Sequence, residues 1–183
     1  MTGIYYREKN NMDEYATHLP MLAACIAQTK GPVLELGMGS YSTALIHAMC
    51  KDRVVVSVDH DHKWLSKYAK NLMPGHSCLL VGRDDHRKTT SELAESRDWG
   101  VVFIDHIHTD YRQDDVIAFQ DKAELIVVHD TTWESAAHDY SRINEVLKYF
   151  PYKKEYRQHR PYTSVLSKTN SLPFYSDLLS ESE

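Results

Sequence analysis

Aspartate and histidine gather at a few places in this chain, in patterns suited to moving protons and holding ions. Asp105, His106 and His108 fall within four residues, His129 and Asp130 are adjacent, and His60 follows Asp59. Glu35 stands just before Gly37, Gly39 and Ser40. Carboxylates accept hydrogen bonds and ligate hard cations, and an imidazole titrates close to neutrality. Glycines at alternate positions permit a tight turn and a close approach of backbone to ligand.

These groups need elements to hold them, and each closes an apolar run. Val33-Leu34 leads into Glu35, Val54 to Val58 into Asp59, Val101 to Ile104 into Asp105, and Leu125 to Val128 into His129. Runs of this length and β-branched content read as strands, at about 32–36, 53–59, 76–81, 101–105 and 125–128. Helical patterns fall between them at about 41–51, 61–72, 89–96, 111–120 and 134–149, and residues 12–29 read as helical around Pro20. Two last runs, 152–158 and 163–168, form a hairpin. The alternation predicts an α/β fold: a doubly wound, Rossmann-like, mostly parallel sheet with a C-terminal antiparallel strand and helices on both faces. Residues 1–30 form an N-terminal helical segment, 31–168 the domain, and 169–183 a tail. In such sheets ligands bind beyond the carboxyl ends of the strands, where these polar residues cluster.

The segment from Gly31 to Asp59 is strand, glycine turn, helix and strand, with an acid at the second strand's end. A helix N-terminus offers free N–H groups, and an acid about 20 residues past the glycines can accept hydrogen bonds from a ribose. That predicts a site for a nucleoside-containing cofactor. The third glycine of a dinucleotide fingerprint is replaced by Ser42, which counts against NAD or FAD.

The stretch VLELGMGSYS resembles the first motif of class I S-adenosylmethionine-dependent methyltransferases. FIDHIHTDY (Phe103 to Tyr111) followed by IVVHDT (Ile126 to Thr131) is similar to a small methyltransferase group with an F-I-D-x-x-H element and a later H-D, and to the catechol-type O-methyltransferases. The resemblance spans about residues 31–131. It implies that Glu35, Gly37, Gly39 and Ser40 lie by the methionyl part of S-adenosylmethionine, that Asp59 and His60 lie by its ribose, and that Asp84 and Asp105 also face the cofactor. It further implies methyl transfer to a small-molecule acceptor at oxygen, with His108 as general base and Asp105 and Asp130 as ligands to Mg²⁺. Thr131 stands where the catechol-type enzymes place asparagine, and His108 where they place lysine.

Some of this is independent of resemblance. Neighbouring strands lie about 4.8 Å apart, so carboxylates ending strands four and five could share a hard cation with oxygen ligands at about 2.0–2.6 Å. A neutral imidazole at His108 is available as a base at cellular pH. His106 and His129, adjacent to aspartates, are expected only to orient loops. Asp61 and His62 are expected to open a helix, the acid favoured at its N-terminus. Tyr5, Tyr6, Tyr15 and Trp133 are candidates for a pocket wall. Two rivals remain on the same scaffold: a nucleoside-binding hydrolase and a non-catalytic cofactor-binding module.

The formal charge of -5 over 183 residues, with no basic block, disfavours nucleic acid as partner. Cys25, Cys50 and Cys78 are odd in number and widely spaced, and read as free thiols in a reducing compartment, the cytoplasm. No run approaches the roughly 20 apolar residues of a membrane span. Phe174, Tyr175, Leu178 and Leu179 in the tail are candidates to dock on the domain or on a second subunit.

Overall fold

The structure, a computed structural model, describes residues 12–131 and 141–172. Tyr5, Tyr6, Trp133 and the apolar residues of the tail lie outside the described residues, as does the first part of the helix expected at 134–149.

Seven strands form one sheet: β1 (Val33–Leu36), β2 (Val55–Asp59), β3 (His76–Leu80), β4 (Trp99–Ile104), β5 (Ala123–His129), β6 (Tyr152–Tyr156) and β7 (Thr163–Ser167). Their order is β3-β2-β1-β4-β5-β7-β6. The first five are parallel, whereas β7 pairs antiparallel with β5 and with β6. The doubly wound sheet with its antiparallel C-terminal strand is therefore present. Strand order reverses between β1 and β4, each aligned from Val33↔Val101 to Leu36↔Ile104. A cleft at their carboxyl ends is what this topology offers a ligand.

The helices are α1 (Leu19–Gln28), α2 (Ser42–Met49), α3 (His62–Tyr68), α4 (Arg83–Ser96), α5 (Arg112–Phe119) and α6 (Ser141–Leu147). Strand side chains alternate between faces, so the two halves of each apolar run serve two cores. Val33, Val55, Val101, Phe103, Leu125 and Val127 pack with α1 and α2 through Met21, Leu22 and Ile46. Leu34, Leu36, Val58, Val102, Ile104 and Ile126 pack on the other face with Val116 and Phe119 of α5 and with Ile143 and Leu147 of α6. Pro20 falls in the first turn of α1, where its missing N–H has no intrahelical partner to lose. Asp61 caps α3 by accepting from the Lys63 N–H.

One boundary moves. The helix expected from Thr89 begins at Arg83, which puts Asp84 and Asp85 in its first turn, where acids are favoured by the helix dipole. Among the described residues no helix is long and apolar enough to cross a membrane.

Candidate functional site

One wall of the cleft is built on β1 and β2. Gly37 has φ +100°, and a Cβ there would stand 2.5 Å from the Asp105 carbonyl oxygen, so only glycine fits. The turn it starts is clamped by Asp59. Met38 N–H donates to Asp59 Oδ2 at 2.7 Å, and Asp61 N–H donates to Oδ1 at 2.7 Å. A carboxylate has about four acceptor positions. Asp59 therefore keeps capacity for a ligand while it shapes the turn. Gly37, Gly39, Ser40, Asp59 and His60 all line the cleft. Ser40 Oγ accepts from Lys67 Nζ at 2.8 Å, and His60 Nδ1 lies 3.4 Å from Asp59 Oδ1.

Glu35 is placed differently. Its side chain is fully buried behind the turn, accepting from Thr43 Oγ1 at 2.9 Å and from Ser57 Oγ at 2.5 Å. Thr43 Oγ1 in turn accepts from Gly39 N–H at 3.1 Å. Glu35 braces the turn through Thr43 and does not itself line the cleft. Burial pushes its pKa up to about 7 against the pull of the Ser57, Ser42 and Thr43 hydroxyls.

The opposite wall is built on β4 and β5, and its centre is Arg112, 3 % exposed. The guanidinium donates to the backbone carbonyls of His106 (2.9 Å) and His129 (3.0 Å), tying the ends of both strands. It also donates to Asp105 Oδ1 at 3.1 Å and Asp130 Oδ2 at 3.4 Å. From the other side His129 Nδ1 lies 3.2 Å from Asp105 Oδ2 and 3.6 Å from Asp130 Oδ1. The two aspartates do converge at one edge, but every carboxylate oxygen already faces a nitrogen. A magnesium ion shared by Asp105 and Asp130 does not fit this set, because the Arg112 guanidinium holds the position between them. Burial opposes ionisation of Asp105, yet the adjacent His129 and Arg112 outweigh it and lower its pKa. Burial likewise opposes a charge on His129, but Asp105 and then Asp130 raise its pKa. Asp130 has φ 57°, uncommon for a non-glycine residue and characteristic of positions constrained for function.

His108 is not on the cleft wall. It is half-buried against α4, its Nδ1 3.3 Å from Arg83 Nη1. A guanidinium only donates, so the Nδ1 lone pair that a base would use is occupied. Burial, and then the neighbouring charges of His60, His86 and Arg83, lower its pKa. The structure thus places His108 beside the cleft-lining Ile107 and Thr109, with Arg83 on its Nδ1. Asp84 is exposed in the first turn of α4 and also does not line the cleft. His106 Nε2 is bonded to Asp115 at 2.6 Å in the interior. Tyr15 does line the cleft, at 70 % exposure. Among the wall residues unforeseen in the sequence are Arg112, and His18 at the start of α1. A lone arginine after a strand has no local signature, and His18 precedes every motif.

The cleft between the walls has a volume of about 1090 Å³. Its sheet order, its glycine turn clamped by a strand-end acid, and its position at the switch point define the fold as the Rossmann-like one of class I methyltransferases. Solved structures agree. The O-methyltransferase TomG of Streptomyces achromogenes, involved in tomaymycin synthesis and solved with S-adenosylmethionine, superposes with a TM-score of 0.60 at 16% identity, over 85% of this chain and 83% of that one. Human methyltransferase-like protein 13, solved with S-adenosylhomocysteine, gives 0.63 at 11% identity, over 86% and 84%. An rRNA methylase of Streptococcus thermophilus gives 0.60 at 13%, over 82% and 95%. No protein-family model matches the chain, and no curated protein matches it.

Proposed function

We propose that this chain transfers a methyl group from S-adenosylmethionine to a small-molecule acceptor, at oxygen. The observation that carries the reading is Asp59: a strand-end carboxylate, held by two backbone N–H groups beneath the Gly37 turn, with acceptor capacity left on the cleft side. That suits a ribose diol. The acceptor stands on the other wall, where Asp105 and Asp130 position it. Much of the rate would come from holding acceptor and methyl in line.

The lining also speaks to the acceptor class. Asp13, Glu14, Asp59, Asp61, Asp105 and Asp130 line the cleft against a single arginine, Arg112, itself paired. Such a surface repels a phosphate backbone and accommodates a sulfonium. The Arg112 guanidinium between Asp105 and Asp130 speaks against a magnesium ion shared by those two carboxylates.

Calorimetric titration with S-adenosylmethionine, S-adenosylhomocysteine and NAD tests the reading. Micromolar binding of the first two, weakened in Asp59→Ala, is the expected result. Silence from both sulfur ligands with folded protein would overturn it, and release of a nucleoside product without a methylated acceptor would identify a hydrolase.

A further inference from the structure

Among the described residues, two clusters bring two imidazoles and a carboxylate together with ligand atoms within 4.8 Å of one another: His86, His106 and Asp115, and His18, Asp105 and His129. In the first, Asp115 accepts from both rings, although His106 Nδ1 is buried without a partner. The second leaves three ring nitrogens without one. His18 is 2 % exposed, yet neither of its ring nitrogens has a hydrogen-bond partner. It is held by ring contacts alone, 4.8 Å from Phe103 and 4.8 Å from His129. A buried polar atom without a partner is costly, and an unoccupied ion position is one of its few explanations.

His129 shows the same deficit. Thr17 Oγ1 gives its only proton to a backbone carbonyl, of Pro161 at 2.8 Å or Glu14 at 3.2 Å, so toward His129 it can only accept. The contact at 2.9 Å therefore uses the N–H of His129 Nε2. That leaves Nδ1, which makes no hydrogen bond although Asp105 Oδ2 is 3.2 Å away. Two ligand atoms at about 2.1 Å from one ion stand roughly 3.0–3.4 Å apart for angles from square to tetrahedral. The 3.2 Å separation suits two atoms sharing a cation as well as a direct ion pair between them. An Nε2–H fixed by an outer partner, with Nδ1 left for the metal, is also how ligating histidines are usually oriented.

We propose that His18 and His129, each through a ring nitrogen, and Asp105, through Oδ2, bind one divalent transition-metal ion of the zinc, cobalt, iron or manganese kind. Two imidazoles and one carboxylate select such ions over magnesium, which prefers oxygen. Arg112 stays on Asp105 Oδ1 and holds the carboxylate in place. His18, Asp105 and His129 all line the cleft, so the remaining coordination positions face it and would take water or an oxygen of a small acceptor. The site stands independently of the methyl-transfer reading.

The test is calorimetric titration of chelator-treated full-length protein with Zn²⁺, Co²⁺ and Mg²⁺, with the visible spectrum of the Co²⁺ form recorded in parallel. One Zn²⁺ or Co²⁺ per chain is expected, with Co²⁺ bands of mixed nitrogen and oxygen ligation and no competition from millimolar Mg²⁺. His18→Ala and His129→Ala should each weaken binding by about 100-fold. His18→Gln, closer in size, serves if His18→Ala fails to fold. His47→Ala and His86→Ala, at the other histidine clusters, should bind as the parent does. Absence of Zn²⁺ and Co²⁺ binding to folded protein overturns the proposal and leaves a second proton on His129 as the answer. So does binding that survives in folded His18 variants or disappears in His47→Ala or His86→Ala. S-adenosylmethionine titrated separately tells failure of the metal site from failure of the cofactor reading.

Discussion

The cluster at His86, His106 and Asp115 and the one at His18, Asp105 and His129 have the same composition and nearly the same burial. Asp115 is fully buried and takes hydrogen bonds from both of its histidines, at 2.6 Å and 3.0 Å, which leaves one buried ring nitrogen of that cluster, His106 Nδ1, without a partner. At the other cluster Thr17 and Arg112 engage the outer atoms, while both nitrogens of His18 and the Nδ1 of His129 have no hydrogen bond. Residue types therefore do not separate the two clusters; the number of buried ring nitrogens left without a partner, one against three, does, because a low-dielectric interior tolerates polar groups poorly unless they are satisfied.

The comparison can be broken first at its closed end. Asp115→Ala should cost about 3–5 kcal/mol of stability in denaturant titration, because it strands two buried imidazoles. A loss under 1 kcal/mol would mean the knot is not structural. Glu35 comes next, a buried carboxylate satisfied by hydroxyls without a cation. Its folded pKa, about 7, lies above the ordinary 4.5, so the folded chain holds a proton that the unfolded chain releases. That contribution to stability is complete below pH 4.5 and is lost as pH rises through 7. Glu35→Gln does not titrate, and its stability relative to the parent should rise by about 3 kcal/mol between pH 4 and pH 8. A difference that stays flat with pH would show that burial leaves the Glu35 pKa at its ordinary value.

Smaller effects sharpen the open end. Asp59→Ala should weaken S-adenosylmethionine by about 1–3 kcal/mol, through lost hydrogen bonds to a charged group; unchanged affinity by calorimetry would remove Asp59 from the cofactor site. His18→Phe should change metal-free stability by less than about 1 kcal/mol, since an apolar ring loses no hydrogen bond there. His86→Phe, which removes a bonded partner of Asp115, should cost more. Equal melting shifts for the two phenylalanine variants would erase the contrast between the clusters.

The fold was legible because its signals are local. Runs such as Val101 to Ile104 and the punctuation of Gly37 and Gly39 mark strands and turn without reference to anything distant. The wall on β1 and β2 was legible for the same reason: Asp59 reaches Met38 across adjacent parallel strands, which the strand–turn–helix–strand pattern already implies. That the Glu35 side chain points to the α2 side and reaches the turn only through Thr43 is not legible from spacing. The early start of α4 was missed because its N-cap, Gly82, has no side chain to announce it. His108 and Arg112 show the limit most clearly. Arg83 of α4 engages His108, and Arg112 spans the ends of β4 and β5; both depend on packing between elements, which spacing along the chain does not encode.

Gly37 has one more consequence. It meets the Asp105 carbonyl with no room for a side chain between them, and Asp105 N–H is bonded to the Leu36 carbonyl at 2.8 Å. The two walls of the cleft thus touch main chain to main chain. Rotation of any side chain on either wall leaves their spacing unchanged. The gap between the wall that carries Asp59 and the wall that carries Asp105 is set at this point by main chain, as the jaw of a gauge is set by its frame.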